Sequence, residues 1–405
     1  MVKNLKTIAN ILYISPRDMR KNRADPVHIM YSCNAFSKLG IKVTLVTPTV
    51  ERQDYYTKRS EIFELYGLKD NFDIVELPTN LSEVDGRSSS FIKVVFNKFY
   101  HHLKYLVKNR KAFIDKKTLI YSKCFISTVP YICFRKLKLI NSKIVFELPY
   151  FKKNIYHKFI LTHCNYIVAW SSMLISRLIN EFKFPKNRII NIGVSLIIED
   201  RHMQQNISKS ECRKHFNFTK NDIYITYTGK VATYTGKVGE SMIAANQFIK
   251  LSQELPKYKF IIIGRYNESI NYYNRLNIKN LITLPFLPFP EFNKLIVASD
   301  ILLALYTVED DKYNKYYLLP AKAGQFLYSG NPVIFSNLPS LRELFSGEIV
   351  NFCNTKDIPN IINTINQIIN NPDKSQIMAK RAKDFSLKHT FNHTANRIIN
   401  FLESQ

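Results

Sequence analysis

A chain of 405 residues is too long for one ordinary hydrophobic core and points to two domains of roughly 200 residues each. Its hydrophobic fraction of 46% and aromatic fraction of 13% exclude a disordered chain, and no apolar run approaches the ~20 residues a membrane-spanning helix needs. The formal charge of +26 is uneven: residues 1–200 hold 33 Lys and Arg against 16 acids, the remainder 25 against 16. That balance suits an anionic partner, whether nucleic acid, an acidic membrane surface or a phosphorylated small molecule.

The six cysteines (Cys33, Cys124, Cys133, Cys164, Cys212 and Cys353) form no C-x-x-C pair and show no metal-ligand spacing, so no metal is expected. Several lie in apolar runs, where cysteine acts as a small buried hydrophobe. With no signal-peptide pattern at the start, the expectation is a reducing cytoplasm.

In chain order, Ile8–Ile14 is a buried-strand pattern ending at Ser15-Pro16. A basic loop, Arg17 to Asp25, leads into a helix over 26–39, with Asp25 as N-cap and Pro26 at the first helical position. Gly40 closes it, and Val43–Val46 is the next strand. This is a βαβ unit, so the Arg17–Asp25 loop sits at the carboxyl edge where open α/β sheets bind ligands. Further strands are expected at 72–77, 119–121, 144–146, 166–170 and 188–192, with helices between most of them.

The stretch from Ser88 to Lys111 breaks that rhythm. On a helical wheel Ile92, Val95, Phe96, Phe99, Leu103, Leu106 and Val107 share one face, while Lys93, His101, Lys104 and Lys108 take the other. Arg87 to Lys117 contains nine Lys and Arg and one acid, Asp115. Such a helix either lies in an anionic membrane interface, making the protein peripheral at the inner membrane, or packs its apolar face on its own sheet.

Residues 199–222 are polar and start poor in helix, which places the domain junction there. A second βα series follows, with strands expected at 223–227, 260–263, 281–284, 301–305, 333–335 and 349–352. Helices are expected at 239–251, 291–298, 321–328 and 358–369. A last helical region, 375–402, is interrupted around His389–Phe391, so its end is free to return to the first domain. The resulting division is 1–200, 201–388 and a C-terminal helix, 389–405.

Two loops of the second domain carry the chemistry of phosphate binding. After its first strand come Gly229-Lys230 and then Lys237-Val238-Gly239. Glycine lets the backbone approach a ligand closely, and two lysines neutralise a diphosphate beside the N-terminus of the next helix. The spacing is not that of a P-loop. Ile261–Ile263 followed by Gly264-Arg265 is another strand-to-loop step able to line a nucleotide pocket. The stretch LLPAKAGQFLYSGNPVIFSNLPSLRE, Leu318–Glu343, reads as helix, stop and buried strand. Gly330 stands at the left-handed exit, and Lys322 and Gln325 on one helical face are placed to approach one ligand together.

The second half resembles the nucleotide-sugar domain of the retaining glycosyltransferase family 4. Gly229-Lys230 stands where that family carries Gly-Arg, and Lys237 where it carries Lys, with Val238 in place of the usual Gly. IIIGRY and ITLPFLPFPEFNKLIVASDILLALY resemble later passages of the domain. Pro320, Lys322, Phe326, Gly330 and Pro332 fall in register with a subgroup pattern Pro-x-Lys-x-x-Glu-(Tyr/Phe)-x-x-x-Gly-x-Pro. RADPVHIMYSCNAFSKLGIKVTLVTP, IVFELPY, NIGVS and KHTFNHTANRIINFL resemble the family more loosely. The departures are Gln325 for the second glutamate of the family's spaced pair and Tyr317 for the first. Glu309, Asp310 and Asp311 stand just upstream. Glu147-Leu148-Pro149 occupies the strand end where a histidine is frequent.

The resemblance implies an α/β protein of GT-B type, two Rossmann-like domains facing a cleft. It implies transfer of a sugar from a nucleotide-diphosphate sugar to a hydroxyl of a glycan or lipid-linked acceptor in envelope polysaccharide synthesis. Lys230 and Lys237 would stabilise the leaving diphosphate. Gly229, Gly264, Arg265, Lys322 and Gln325 would hold the donor, and Arg17, Asp25, His28 and Glu147 are the acceptor-side candidates. Neither a metal nor a separate cofactor is implied. Two alternatives stay open: an impaired relative that binds nucleotide sugar or a partner enzyme, and a sugar-nucleotide epimerase of similar fold. No nucleic-acid motif is present, and the aromatics fall mostly at core spacing.

Overall fold

Short β-branched and aromatic runs separated by amphipathic segments give two all-parallel sheets, each covered by helices as parallel strands require. The computed structural model describes residues 8–20, 24–49, 59–78, 91–148, 155–198, 207–228, 243–263, 267–306, 320 and 322–405. The chain divides into two units, one of residues 1–193 and 391–405, the other of residues 194–390.

Unit 1 runs β1 (Asn10–Ile14), α1 (Ala24–Lys38), β2 (Lys42–Thr49), α2 (Arg59–Leu65), β3 (Asp73–Pro78) and α3 (Phe91–Lys108). It continues with β4 (Thr118–Ser122), α4 (Phe125–Lys136), β5 (Lys143–Leu148), α5 (Ile155–His163), β6 (Tyr166–Ala169), α6 (Ser172–Phe182) and β7 (Ile189–Asn191). The strand order is β3-β2-β1-β4-β5-β6-β7. β4 is buried along its whole length, as a central strand covered on both faces must be.

Unit 2 opens with α7 (Lys209–His215) and β8 (Tyr224–Tyr227), then α8 (Ile243–Glu254), β9 (Lys259–Ile263), α9 (Asn267–Arg275) and β10 (Leu281–Leu284). α10 (Phe289–Ala298), β11 (Ile301–Ala304), α11 (Ala323–Tyr328), β12 (Val333–Ser336), α12 (Pro339–Leu344) and β13 (Asn351–Cys353) follow, then α13 (Ile358–Asn370) and α14 (Pro372–Lys388). Its strand order is β10-β9-β8-β11-β12-β13. The last helix, α15 (Phe391–Glu403), belongs to unit 1.

The passage out of unit 1 falls at Gly193/Val194, seven residues before the expected junction. The reason is apolar: Val194 and Leu196 are buried in the unit 2 cluster with Ala323, Phe326 and Leu327. The return falls at Thr390/Phe391, and the two passages are tied together by the Leu196 N–H donating to the His389 carbonyl at 2.8 Å. α15 then packs on α1, and Arg397 donates to the carbonyls of Asn191 (2.7 Å) and Ile192 (3.2 Å) at the end of β7.

Three helices escaped the sequence reading: α7, α9 and α12. α7 had a visible signal, since Ser208 and Glu211 form a reciprocal capping box. Asp25, expected as an N-cap, lies inside the first turn of α1. α11 starts at Ala323 rather than at 321, and Gly330 leaves it at φ +75°, as its position demanded.

Within α11, Gly324 has no room for a side chain. A Cβ there would lie 2.6 Å from the Ile197 carbonyl oxygen and 2.7 Å from its nitrogen, both backbone. Gly324→Ala is therefore expected to destabilise unit 2 by about 1–3 kcal/mol. Urea unfolding of the variant measures this, and an unchanged midpoint would contradict it.

Candidate functional site

Each sheet reverses its strand order once, between β1 and β4 in unit 1 and between β8 and β11 in unit 2. Loops leaving the carboxyl ends of those strands diverge and leave the crevice in which open α/β sheets bind ligands. Sequence places Gly229, Lys230 and Lys237 directly after β8, and Gly264 and Arg265 directly after β9. All five lie outside the described residues, as do Glu309, Asp310, Asp311 and Tyr317.

Two described residues of unit 2 border that edge. Thr228 follows β8 and is 4% exposed, and its hydroxyl has no hydrogen-bond partner among the described residues. A buried hydroxyl left unpaired costs roughly 1–3 kcal/mol. Lys322 stands on the β11 side, immediately before α11. It is partly buried, and burial pulls its ammonium down to about 7. No carboxylate pairs with it among the described residues. An anion arriving beside such a lysine restores the charge that burial suppresses.

Gln325 is 9% exposed, and its Nε2 lies 3.5 Å from Asn293 Oδ1 on α10. It lines a pocket of about 160 Å³ with Asn293, Lys294, Tyr328, Ser329 and Lys383. Lys322 does not line that pocket. Lys322 is the N-cap of α11 in helical conformation, and its carbonyl accepts from the Phe326 N–H at 3.0 Å, one residue past Gln325.

In unit 1, Arg17 and Asp25 are exposed beyond β1 and pair across their loop, Nε to Oδ2 at 3.3 Å. His28 and Glu147 instead lie in a buried cluster. Glu147, at the end of β5, is fully buried. Its Oε1 accepts from Lys123 Nζ at 3.0 Å and Trp170 Nε1 at 2.9 Å. Its Oε2 accepts from the hydroxyls of Tyr121 at 2.7 Å and Tyr13 at 3.3 Å. Burial alone would push this carboxyl up, but Lys123, His28 and the donated hydrogen bonds outweigh it and hold it below the usual carboxylate range.

Burial, then the Lys123 charge, lowers His28 to about 3, so the ring is neutral near pH 7. Lys123 donates to its Nδ1 at 3.2 Å, which fixes the ring proton on Nε2, 3.7 Å from Glu147 Oε1. Trp170 stacks on the His28 ring at 4.9 Å, and Phe391 meets it edge-on at 4.9 Å. The Lys123 ammonium also sits 4.7 Å above the Trp170 ring. Both oxygens of Glu147 are engaged inside the domain, whereas the buried Nε2 of His28 has no hydrogen-bond partner among the described residues. The cluster ties the carboxyl ends of β4, β5 and β6 to β1 and to α1. Of the four acceptor-side candidates, only Arg17 and Asp25 face solvent.

Lys123 and Trp170 were missed from sequence. The available signal was a lysine directly after an apolar strand at the switch point. Among the described residues, no three His, Cys, Asp or Glu side chains gather as a metal site, and no helix is long and apolar enough to cross a membrane.

Residues 245–400 match the family model described as "Glycosyl transferase-like". No curated protein matches the sequence. Among solved structures, sucrose-phosphate synthase from Thermosynechococcus elongatus superimposes with a TM-score of 0.72 at 11% identity, covering 98% of each chain. Anabaena HepE in complex with UDP and glucose gives 0.67 at 11% identity, over 98% of this chain and 100% of that one. The UDP-GlcNAc 2-epimerase from Neisseria meningitidis bound to UDP-GlcNAc gives 0.63 at 14% identity, over 98% and 100%. In residues 245–400 the chain resembles glycosyl transferase-like proteins, and over its length it has the two-domain α/β fold of GT-B type.

Proposed function

We propose that the protein is a retaining glycosyltransferase, related to family 4, that moves a sugar from a nucleotide-diphosphate sugar to a hydroxyl of a glycan or lipid-linked acceptor. We place it in envelope polysaccharide synthesis, in the cytoplasm at the inner membrane face. The observation that carries the reading is the β8–β11 switch point, where Thr228 follows β8 and the burial-weakened Lys322 stands before α11, neither with a side-chain partner among the described residues. HepE, a protein of the same fold, is solved with UDP and glucose, which supports a uridine-type donor.

In this reading the anomeric carbon gains oxocarbenium character while charge builds on the leaving diphosphate. Lys230, Lys237 and Lys322 supply the opposing charge, and amides near Gly229 assist. Gly264 and Arg265 line the nucleotide side. The leaving phosphate assists removal of the acceptor proton. The nucleotide sugar is the substrate, and no separate cofactor takes part.

A panel of nucleotide sugars, assayed for nucleotide release with and without glycan and lipid-linked acceptors, tests this. One donor is expected to release nucleotide, with Lys230→Ala, Lys237→Ala and Lys322→Ala each lowering the rate roughly ten-fold or more. Binding without release under every acceptor would favour the impaired relative. An isomerised sugar still on its nucleotide would favour the epimerase, a reading that the Neisseria likeness supports. No binding of any donor would overturn the assignment of the site.

A further inference from the structure

Ten large apolar side chains stand exposed among the described residues, and seven of them fall between residues 96 and 156 of unit 1. Three form a stripe on α3: Phe96 is 68% exposed, Tyr100 48% and Val107 58%. Their spacing of four and seven residues keeps them within about 40° around the helix axis. The wide apolar arc of α3 is split. Its other edge carries Leu106 and His102, both buried, with His102 Nδ1 3.5 Å from the Tyr131 hydroxyl of α4. Packing on α4 therefore uses one edge of the arc and leaves the other uncovered.

The crossovers β3→β4, β4→β5 and β5→β6 all advance in the same direction along the sheet. Right-handed connections then put α3, α4 and α5 on one face, and α3 packs on α4 as α4 packs on α5. The same stretch holds the charge. Residues 91–158 contain 16 Lys and Arg against two acids, Asp115 and Glu147, and Glu147 is buried beside Lys123. That excess of 14 is more than half of the chain's +26. Lys104, Lys108, Arg110 and Lys111 are exposed beside or just beyond the stripe, and Ile155 and Tyr156 stand exposed where α5 begins.

We propose that the α3–α5 face of unit 1 docks on an anionic phospholipid bilayer. Phe96, Tyr100 and Val107 enter the headgroup–acyl boundary, and Lys104, Lys108, Arg110 and Lys111 rest on lipid phosphates. An apolar stripe flanked by lysines is the pattern of a helix lying in an interface rather than spanning it. Nucleic acid would use the charge and the rings but leave Val107 and Ile155 in water, whereas the acyl boundary takes rings and aliphatic side chains alike. The inference deepens the inner-membrane placement proposed above, and its test reads lipid binding rather than turnover.

The test is co-sedimentation of the full chain with phosphatidylcholine vesicles, with and without phosphatidylglycerol, at low and high salt. Binding is expected only to the anionic vesicles and is expected to weaken with salt. Each basic side chain at the surface is worth roughly a five-fold change in binding, so Lys104→Glu/Lys108→Glu is expected to weaken it more than ten-fold. Phe96→Ser/Tyr100→Ser is expected to lose the part that survives high salt. All four positions are exposed or solvent-facing, and thermal melts of both variants check that the fold is kept. Wild-type-like binding by both variants, equal binding to the two vesicle types, or no binding to either would overturn the proposal. So would displacement from vesicles by a single-stranded oligonucleotide of matched charge, which would make the face a nucleic-acid surface.

Discussion

Lys123→Met is expected to lower the unfolding free energy of unit 1 by about 3–5 kcal/mol, the range for breaking a buried ion pair by removing one partner. Glu147 is fully buried and Lys123 is 8% exposed, so neither charge has water to fall back on. Without the ammonium, Glu147 keeps only the hydrogen bonds of Trp170, Tyr121 and Tyr13, all from neutral groups. Lys123→Met/Glu147→Leu removes both charges and is expected to recover most of the loss, because the desolvation cost disappears with the pair. Trp170 is the single tryptophan of the chain and sits in this cluster, so its fluorescence follows the unfolding of unit 1 specifically. A Lys123→Met midpoint within error of wild type would show that the cluster is held by packing and not by charge.

Unit 1 is also expected to lose stability steeply under mild acid. His28 and His102 are both buried, and burial first, then neighbouring positive charge, holds each at about 3. In the unfolded chain each titrates near 6.5. Between those values the unfolded state binds the extra protons, so acid favours unfolding and stability rises with pH. With both histidines engaged the slope approaches about 2.7 kcal/mol per pH unit, and by about pH 5 the loss reaches roughly 4 kcal/mol. Glu147 acts in the same direction at lower pH. Its carboxyl is held below the unfolded value, so its contribution is present above about 4.3 and lost as pH falls through the folded value. Urea midpoints read through Trp170 across this range measure the effect. His102→Phe is expected to halve the slope, and a flat profile from about pH 6.5 to about pH 5 would refute buried neutral histidines.

What the sequence displayed was governed by period and punctuation. β1, β9, β11 and β12 were legible as short apolar runs, and Gly330 as the residue that leaves α11 at positive φ. What it could not display was which strands lie side by side. Ser122 and Phe146 are register partners on β4 and β5, so the next residues, Lys123 and Glu147, meet only because those strands are neighbours. Glu147 was thus read as a strand-end residue open to an acceptor, when its neighbours close over it. The surroundings of His28 were hidden for a similar reason, since Trp170 and Phe391 come from distant parts of the chain. On α3 the wheel showed one broad apolar arc, and only the position of α4 shows that half of it is covered. The donor-side residues named from sequence after β8 and β9 lie outside the described residues, and Thr228 became visible only through its unpaired hydroxyl.

The assignment of α15 to unit 1 has a consequence for how the protein is made. On the ribosome, the first 193 residues emerge with β1 to β7 in hand, but the helix that covers α1 has not been translated. About 200 residues intervene, which at ~5–20 residues per second leaves ~10–40 s before Phe391 arrives beside His28 and Tyr31. For that interval the face of α1 that carries His28 and Tyr31 lacks the cover that Phe391 provides. Completion of the first unit therefore waits on a segment made only after the whole of the second.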